Sequence, residues 1–456
     1  MTPRLLLSLL VFPLALLFAA SPAARAQQDD GNSVDEAILD VLLERGIIDQ
    51  AQYEELLAMA KAKRDADANE IALIEGRLAR LNAPDVQVQG GQPGKLAFKS
   101  PDGKWSAELR GFIQARFTNT NAEADGQSGN NFSVPRARLI MSGISGAPNI
   151  KYKLEIDAST KTGLDTDVDT TEPSEQQDAI VKDAYVDYGV TDSGSVRFGQ
   201  YKFPFGREEL ISDSSEDLVD KSLANRTFAP AREPGASWQG KALDGVLEYE
   251  LAASNGDGQN EPNSADSSAL DVGDGLRYGA RAVWYPLGEM KYDFPSFQTL
   301  DGGSKLSLGV AYMSNKDARL LNTVVAGTNG TDANTLDLEL QWMTGPFSLL
   351  AELYDRSTIV PGSADGDDNG YTVQAGFFVV PRVWELVARL SMVDQTDLPP
   401  GFVSGTPSRQ QETTIGIDRY IDGHNGKWMF DFVDTDNETV SDQDSQQVRL
   451  QYQVMF

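Results

Sequence analysis

The chain has 456 residues, 68 acidic against 39 basic, and a net charge of -29 at pH 7. A surface this acidic excludes nucleic acid as a partner, because that affinity comes from Lys and Arg neutralising phosphates. With no Cys and one His, His424, thiol catalysis, disulfides and Cys-based zinc sites are excluded, and neither enzymatic activity nor a cofactor or metal site is expected.

Residues 1–26 read as a secretory signal. Arg4 supplies the positive start, Leu5 to Ala20 is apolar apart from Ser8, and Ala24-Arg25-Ala26 offers a cleavage site before Gln27. The apolar run is shorter than the ~20 residues that a spanning helix needs.

Residues 27–94 are expected to form a helical hairpin, a short coiled coil and a linker. Val34, Ile38, Val41 and Leu42 share one helix face, and Ser33 with Glu36 has the capping-box spacing. Gly46 ends this helix, and Asp49 caps a second one carrying Tyr53, Leu56, Leu57 and Ala60. Ile71, Ile74, Leu78 and Leu81 step by 3, 4 and 3, a coiled-coil seam. Asn82-Ala83-Pro84 stops the helix, and "GGQPG" (90–94) reads as the linker.

From residue 95 the period becomes two. In 150–159, Ile150, Tyr152, Leu154, Ile156 and Ala158 share one face while Lys151, Lys153, Glu155, Asp157 and Ser159 share the other. The same alternation predicts strands near 104–118, 132–145, 149–160, 180–190, 194–202, 235–241, 244–254 and 276–286. A second set is predicted near 304–314, 335–344, 346–356, 370–380, 383–394, 411–421, 426–434 and 445–456. Most are long enough to cross a bilayer at a tilt, and sixteen is an even number.

A soluble sandwich or propeller also alternates. Against that, the polar faces carry charge at mid-strand, and all six Trp (105, 238, 284, 342, 384 and 428) sit toward strand ends, where an interfacial girdle belongs. The last strand alternates and ends in Phe456, similar to the closing signature of outer-membrane barrels. The expected fold is therefore all-β: a sixteen-stranded antiparallel transmembrane β-barrel over 95–456 with an N-terminal helical, coiled-coil arm in the periplasm.

"RFGQYKFPFGREEL" (197–210), "NRTFAPAREPG" (225–235), "ASNG" (253–256) and "VRLQYQVMF" (448–456) resemble the phosphate-selective porin O and P family. The helical arm is similar to the N-terminal segment of many members. The resemblance implies a trimeric outer-membrane channel narrowed by an inward-folded loop. Phe203 to Pro234, far longer than a hairpin turn, is the candidate constriction loop, with Arg207, Lys221, Arg226 and Arg232 among many acids.

The inferred lumen face carries Arg110, Arg116, Arg136, Arg138, Lys151, Lys153 and Arg197, then Arg277 and Arg281. Rings of charge set selectivity, and the Arg fork matches phosphate oxygens. Acids intersperse these cations and outnumber them on the later strands, so the wall reads as mixed. A transverse field and simple cross-strand pairing remain alternative readings. The acidic run "DTDVDTTE" (165–172) lacks the length and Gly of a calcium loop, and His424 reads as a turn residue. The expected function is passive diffusion of small anions, phosphate among them, and polar solutes. A general or cation-preferring porin and a structural envelope tether are the alternatives, with a barrel phospholipase as the enzymatic one. Outer-membrane lipid and lipopolysaccharide are the expected surroundings.

Overall fold

The computed structural model describes residues 34–82, 87–92, 95–122, 128–159, 180–256, 258–259, 275–291, 295–316, 332–359, 365–397, 409–438 and 444–456. The expected signal segment, Ser33 and the acidic run 165–172 lie outside them. The chain divides into two compact units after Pro84.

The first unit holds α1 (Val34–Glu44) and α2 (Gln50–Asn82). Gly46 takes a φ of 67°, and the amides of Gly46 and Ile47 return to the carbonyls of Leu43 and Leu42, both at 2.9 Å. Those bonds satisfy the last carbonyls of α1, so the helix stops where its glycine dictates. At the start of α2, Asp49 Oδ1 accepts from the Gln52 amide at 2.8 Å while Gln52 Oε1 accepts from the Asp49 amide at 3.0 Å. This is a reciprocal capping box. Tyr53 Oη donates to Asp40 Oδ1 at 2.7 Å and ties the two helices together. Of the expected seam, Ile71 and Ile74 are exposed; the side chains of Leu78 and Leu81 lie outside the described residues.

The second unit opens with a strand pair, β1 (Gln87–Gln92) and β2 (Lys95–Lys99). The expected linker at 90–94 is thus corrected: Gly90 and Gly91 belong to β1. Six and five residues of alternation broken by Gly and Pro are too short a signal to stand out from loop composition.

Sixteen strands follow and form a closed antiparallel barrel. They are β3 (Ser106–Ala122), β4 (Gly129–Ser145), β5 (Ala147–Asp157), β6 (Ile180–Thr191), β7 (Gly194–Lys202) and β8 (Arg232–Ala242). Next come β9 (Leu247–Ser254), β10 (Arg277–Trp284), β11 (Ser304–Asn315), β12 (Asp332–Thr344) and β13 (Phe347–Ile359). The set ends with β14 (Gly366–Val380), β15 (Trp384–Asp397), β16 (Arg409–Tyr420), β17 (Gly426–Asn437) and β18 (Ser445–Met455). Each predicted strand has its counterpart. Pairing of β18 with β3, from Met455 opposite Phe112 to Ser445 opposite Ala122, closes the ring. Beyond the end of β18, β2 continues along the same edge of β3 and covers it from Leu109 to Ser106.

Burial runs opposite to that of a water-soluble protein. Along β15, Leu386 is 47% exposed and Leu390 36%, whereas Glu385 is 0% and Arg389 3%. Leucines bare on the outside and charges packed within suit hydrocarbon as the outer solvent. One rim carries short turns such as 192–193, 243–246, 345–346 and 381–383. All six Trp lie toward that rim, at or beside the ends of β3, β8, β10, β12, β15 and β17. Short turns mark the periplasmic side of such barrels, so the tryptophans girdle the periplasmic interface.

Ile415, at the middle of β16 and 60% exposed, faces outward. Ile415→Arg is expected to destabilise the barrel by about 2–4 kcal/mol in urea titrations of vesicle-reconstituted protein. A neutral effect would contradict the lipid-facing assignment.

Candidate functional site

Between β7 and β8 the chain leaves the wall at Lys202 and re-enters at Arg232, which pair in register. The Phe203 amide closes the neck on the Ala231 carbonyl at 3.1 Å. Residues 203–231 carry two short helical turns, α3 (Arg207–Leu210) and α4 (Leu223–Phe228), and bond to inward side chains of β3, β12, β13 and β15 to β18. Strands that far around the ring can be reached together only through the lumen. The loop folds inward.

An apolar foot seats it. Phe203, Phe205, Leu223, Ala224 and Phe228 pack with Ala252, Ala311, Met313, Tyr354 and Val393. The Phe228 ring stacks on Tyr354 with centroids 5.3 Å apart and 12° between planes. The wall leaves room for the two aromatics: a Cβ at Gly279 would lie 2.5 Å from the Phe203 ring, and one at Gly370 2.6 Å from that of Phe228.

Polar contacts clamp the loop from both sides. On one side, the Glu352 carboxylate accepts from the amides of Arg207 and Glu208, the latter at 3.2 Å. Arg207 Nε donates to Gln341 Oε1 at 2.7 Å. Glu208 accepts from the Ser222 amide at 2.8 Å and pairs with Arg389 at 3.2 Å. Ser222 caps α4 by accepting from the Asn225 amide at 3.1 Å. Arg226 reaches Glu412 at 2.8 Å, and the Ala224 amide donates to Ser391 Oγ at 2.9 Å.

On the other side the loop is anionic and the wall basic. Asp220 binds Arg116 and Arg449, each at 2.8 Å, with Arg136 at 3.6 Å. Asp213 pairs with Arg138 and lies 3.7 Å from both Arg136 and Lys221. Burial opposes both charges, yet Arg138, Arg136 and Lys221 hold the Asp213 carboxyl well below the usual carboxylate range. Arg116, Arg449 and Arg136 do the same for Asp220. Because both are depressed, their anchoring is fully present above the ordinary carboxylate value near 4 and is lost only as pH falls below it.

A second inward fold meets the loop from the short-turn side. In the link between β10 and β11, Ser296 Oγ donates to Asp217 Oδ1 and Glu385 Oε2, both at 3.2 Å. Phe297 packs edge-on to Tyr420 (4.8 Å) and against His424 (5.0 Å). Burial pushes the Asp217 carboxyl up to about 6 against the pull of Lys427. His424, in its turn between β16 and β17, is held neutral by burial and then by Lys427, whose Nζ lies 3.2 Å from Nδ1. The sequence signal for this fold was the length of 285–303 among otherwise short turns.

The expected site residues divide three ways. Arg116, Arg136 and Arg138 face inward but are buried in loop contacts, as are Arg207 and Lys221 within the loop itself. Arg197, Arg277 and Arg281 pair with Asp187, Glu233 and Glu339 respectively, and Lys153 with Asp183 and Glu155. Arg110 is half-buried and Lys151 exposed, both toward the short-turn mouth. Arg232 is corrected: it opens β8 and binds Asp183 at 2.8 Å. Sequence reasoning left Gln341, Ser391 and Lys427 out of the site, because an isolated polar residue on a polar face carries no mark of its distant partner.

The profile of the phosphate-selective porin O and P family matches residues 107–456. The chain belongs to this family. It is an outer-membrane porin channel. An uncharacterized protein of Aquifex aeolicus (strain VF5) is 26% identical over 292 residues, 60% of this chain and 68% of that protein. The fold is shared with the anion-selective porin of Comamonas acidovorans at a TM-score of 0.51 and 15% identity, covering 77% of this chain and 100% of that one. It is shared with the outer-membrane channel DcaP of Acinetobacter baumannii at 0.52 and 13%, covering 79% and 99%. The trimer form of OmpT from Vibrio cholerae matches at 0.50 and 10%, covering 77% and 99%.

Asp220→Asn is expected to leave Arg116 and Arg449 without their shared counter-charge. Losing one partner of a buried pair costs about 3 kcal/mol, so the loop should loosen. Single-channel recordings should show noisier current and a shift toward anion permeability; a current identical to wild type would contradict the clamp.

Proposed function

We propose that the channel passes small polar solutes by passive diffusion with a weak preference for small anions, phosphate among them. The observation that carries this is the exposure of charge inside the barrel. Among the inward side chains keeping some exposure are Lys153 (23%), Arg226 (22%), Glu248 (20%), Arg197 (19%), Asp220 (17%), Asp187 (16%), Lys202 (13%) and Arg277 (11%). Five of these eight are cationic, which weakly favours anions near the loop. The preference is weak because Arg116, Arg136 and Arg138, the cations expected to form a basic ladder, are spent on holding loop acids. A field strong enough to exclude cations needs free charge, and little is left.

Reversal potentials in planar bilayers under a KCl gradient test the reading. A small anion-favouring potential is expected, with partial current block by millimolar phosphate. Cation selectivity with no block would overturn it in favour of a cation-preferring porin.

The helical arm is proposed to lie in the periplasm and to join copies of the chain through the seam at Ile71, Ile74, Leu78 and Leu81. The trimeric form of OmpT supports a trimer for this barrel as well. Deletion of 33–82 should leave conductance intact while lowering the thermal stability of the oligomer on gels. Loss of conductance on deletion would contradict a channel that works without its arm.

A further inference from the structure

At the periplasmic rim, four outward residues stand in one row across four strands. Trp384 is opposite Arg419, Arg419 opposite Trp428, and Trp428 opposite Tyr452. The Arg419 guanidinium lies 5.6 Å from the centroid of the Trp384 ring, and the rings of Trp428 and Tyr452 are 4.6 Å apart. One row toward the membrane middle, Ile417, Phe430 and Leu450 are again neighbours in register and all exposed. Together with Trp384, Arg419 and Trp428 they line an open groove of about 290 Å³ on the outer face of the barrel.

An arginine here is out of character. The outward series of β16 runs Ile415, Ile417, Arg419 and faces the bilayer, while Asp418 and Tyr420 point inward and are buried. Among the described residues no carboxylate lies within ion-pair distance of Arg419. A cation at the hydrocarbon boundary needs an anion, and the described residues do not supply one. The surroundings supply one at this height: the phosphate of a phospholipid, whose oxygens fit the guanidinium fork and whose glycerol backbone sits at the level of interfacial tryptophans.

We propose that this face binds one glycerophospholipid of the periplasmic leaflet. Arg419 takes the phosphate between the two indoles, and an acyl chain lies along Ile417, Phe430 and Leu450. A second copy of the chain is the less fitting occupant, because it would have to bring an acid into an apolar, aromatic groove. The inference rests on the barrel's place in the outer membrane and adds a specific lipid site to it.

Native mass spectrometry of the full-length mature protein, released from detergent after incubation with dioleoylphosphatidylglycerol, tests this. Wild type should keep one lipid per chain. Arg419→Gln should weaken retention by about tenfold, the loss of one charge-assisted contact, and Arg419→Lys should keep part of it. Leu450→Trp, which fills the acyl track but leaves the arginine, should weaken retention as well. Conductance should be unchanged in all three. A wild type that conducts yet keeps no lipid would overturn the site and leave the channel standing. Equal retention in Arg419→Gln, or displacement of the lipid by inorganic phosphate alone, would also overturn it. So would a fall in oligomer order in Arg419→Gln with lipid retention intact, which would assign the groove to a second copy. Lipid kept by a protein that does not conduct would count against the channel instead.

Discussion

The structure depends on one electrostatic arrangement: an anionic stretch of loop set against a basic arc of wall. Asp213 and Asp220 face Arg116, Arg136, Arg138 and Arg449, and every one of these charges but the partly exposed Asp220 is nearly buried. Burying so many ions is costly unless all are paired, which makes the loop's inward position a condition for the wall's own stability. With the loop swung outward, Arg116 and Arg136 on the neighbouring strands β3 and β4 would lose Asp213 and Asp220, while Arg138 would keep Glu155 and Asp157 and Arg449 would keep Asp431. The apolar foot under Phe203 and Phe228 then helps fix which part of the loop meets which strand, because the gaps at Gly279 and Gly370 accept the rings.

That arrangement changes what the arginines do. In the sequence they look like a ladder offered to passing anions. In the folded chain most are counter-ions for the loop or for a neighbouring strand: Arg197 to Asp187, Arg449 to Asp431, Arg356 to Asp368. What a solute meets is the partly exposed side of such pairs, with Lys153, Arg226 and Arg197 each keeping about a fifth of its surface beside a carboxylate. Selectivity in such a pore follows from which charges stay free of partners, a quantity that counting residues on a face does not give.

The barrel was legible because alternation is a local signal. Leu386 and Leu390 against Glu385 and Arg389 state in six residues which side faces lipid, and sixteen such runs place sixteen strands. The capped helical hairpin was legible for the same reason, since Gly46 and Asp49 act on their own neighbours. The clamp was not. Asp220 with Arg449, or Ala224 with Ser391, join residues far apart in the chain, and neither partner carries a mark of the other. The resemblance to a porin family gave the loop its direction, and the residues alone did not. The inward fold at Ser296 and Phe297 was missed because its only sign was length.

The inward position of the loop is tested most directly by a covalent bridge. The chain has no native Cys, so Ala224→Cys with Ser391→Cys introduces a single defined pair, at a site where the Ala224 amide now lies 2.9 Å from Ser391 Oγ. In outer-membrane vesicles rapid disulfide formation is expected under mild oxidation, seen as a mobility shift on non-reducing gels, with the channel still conducting. Free thiols at both positions, with Cys at 224 labelled from outside by a membrane-impermeant maleimide as fast as a surface-loop control, would contradict it.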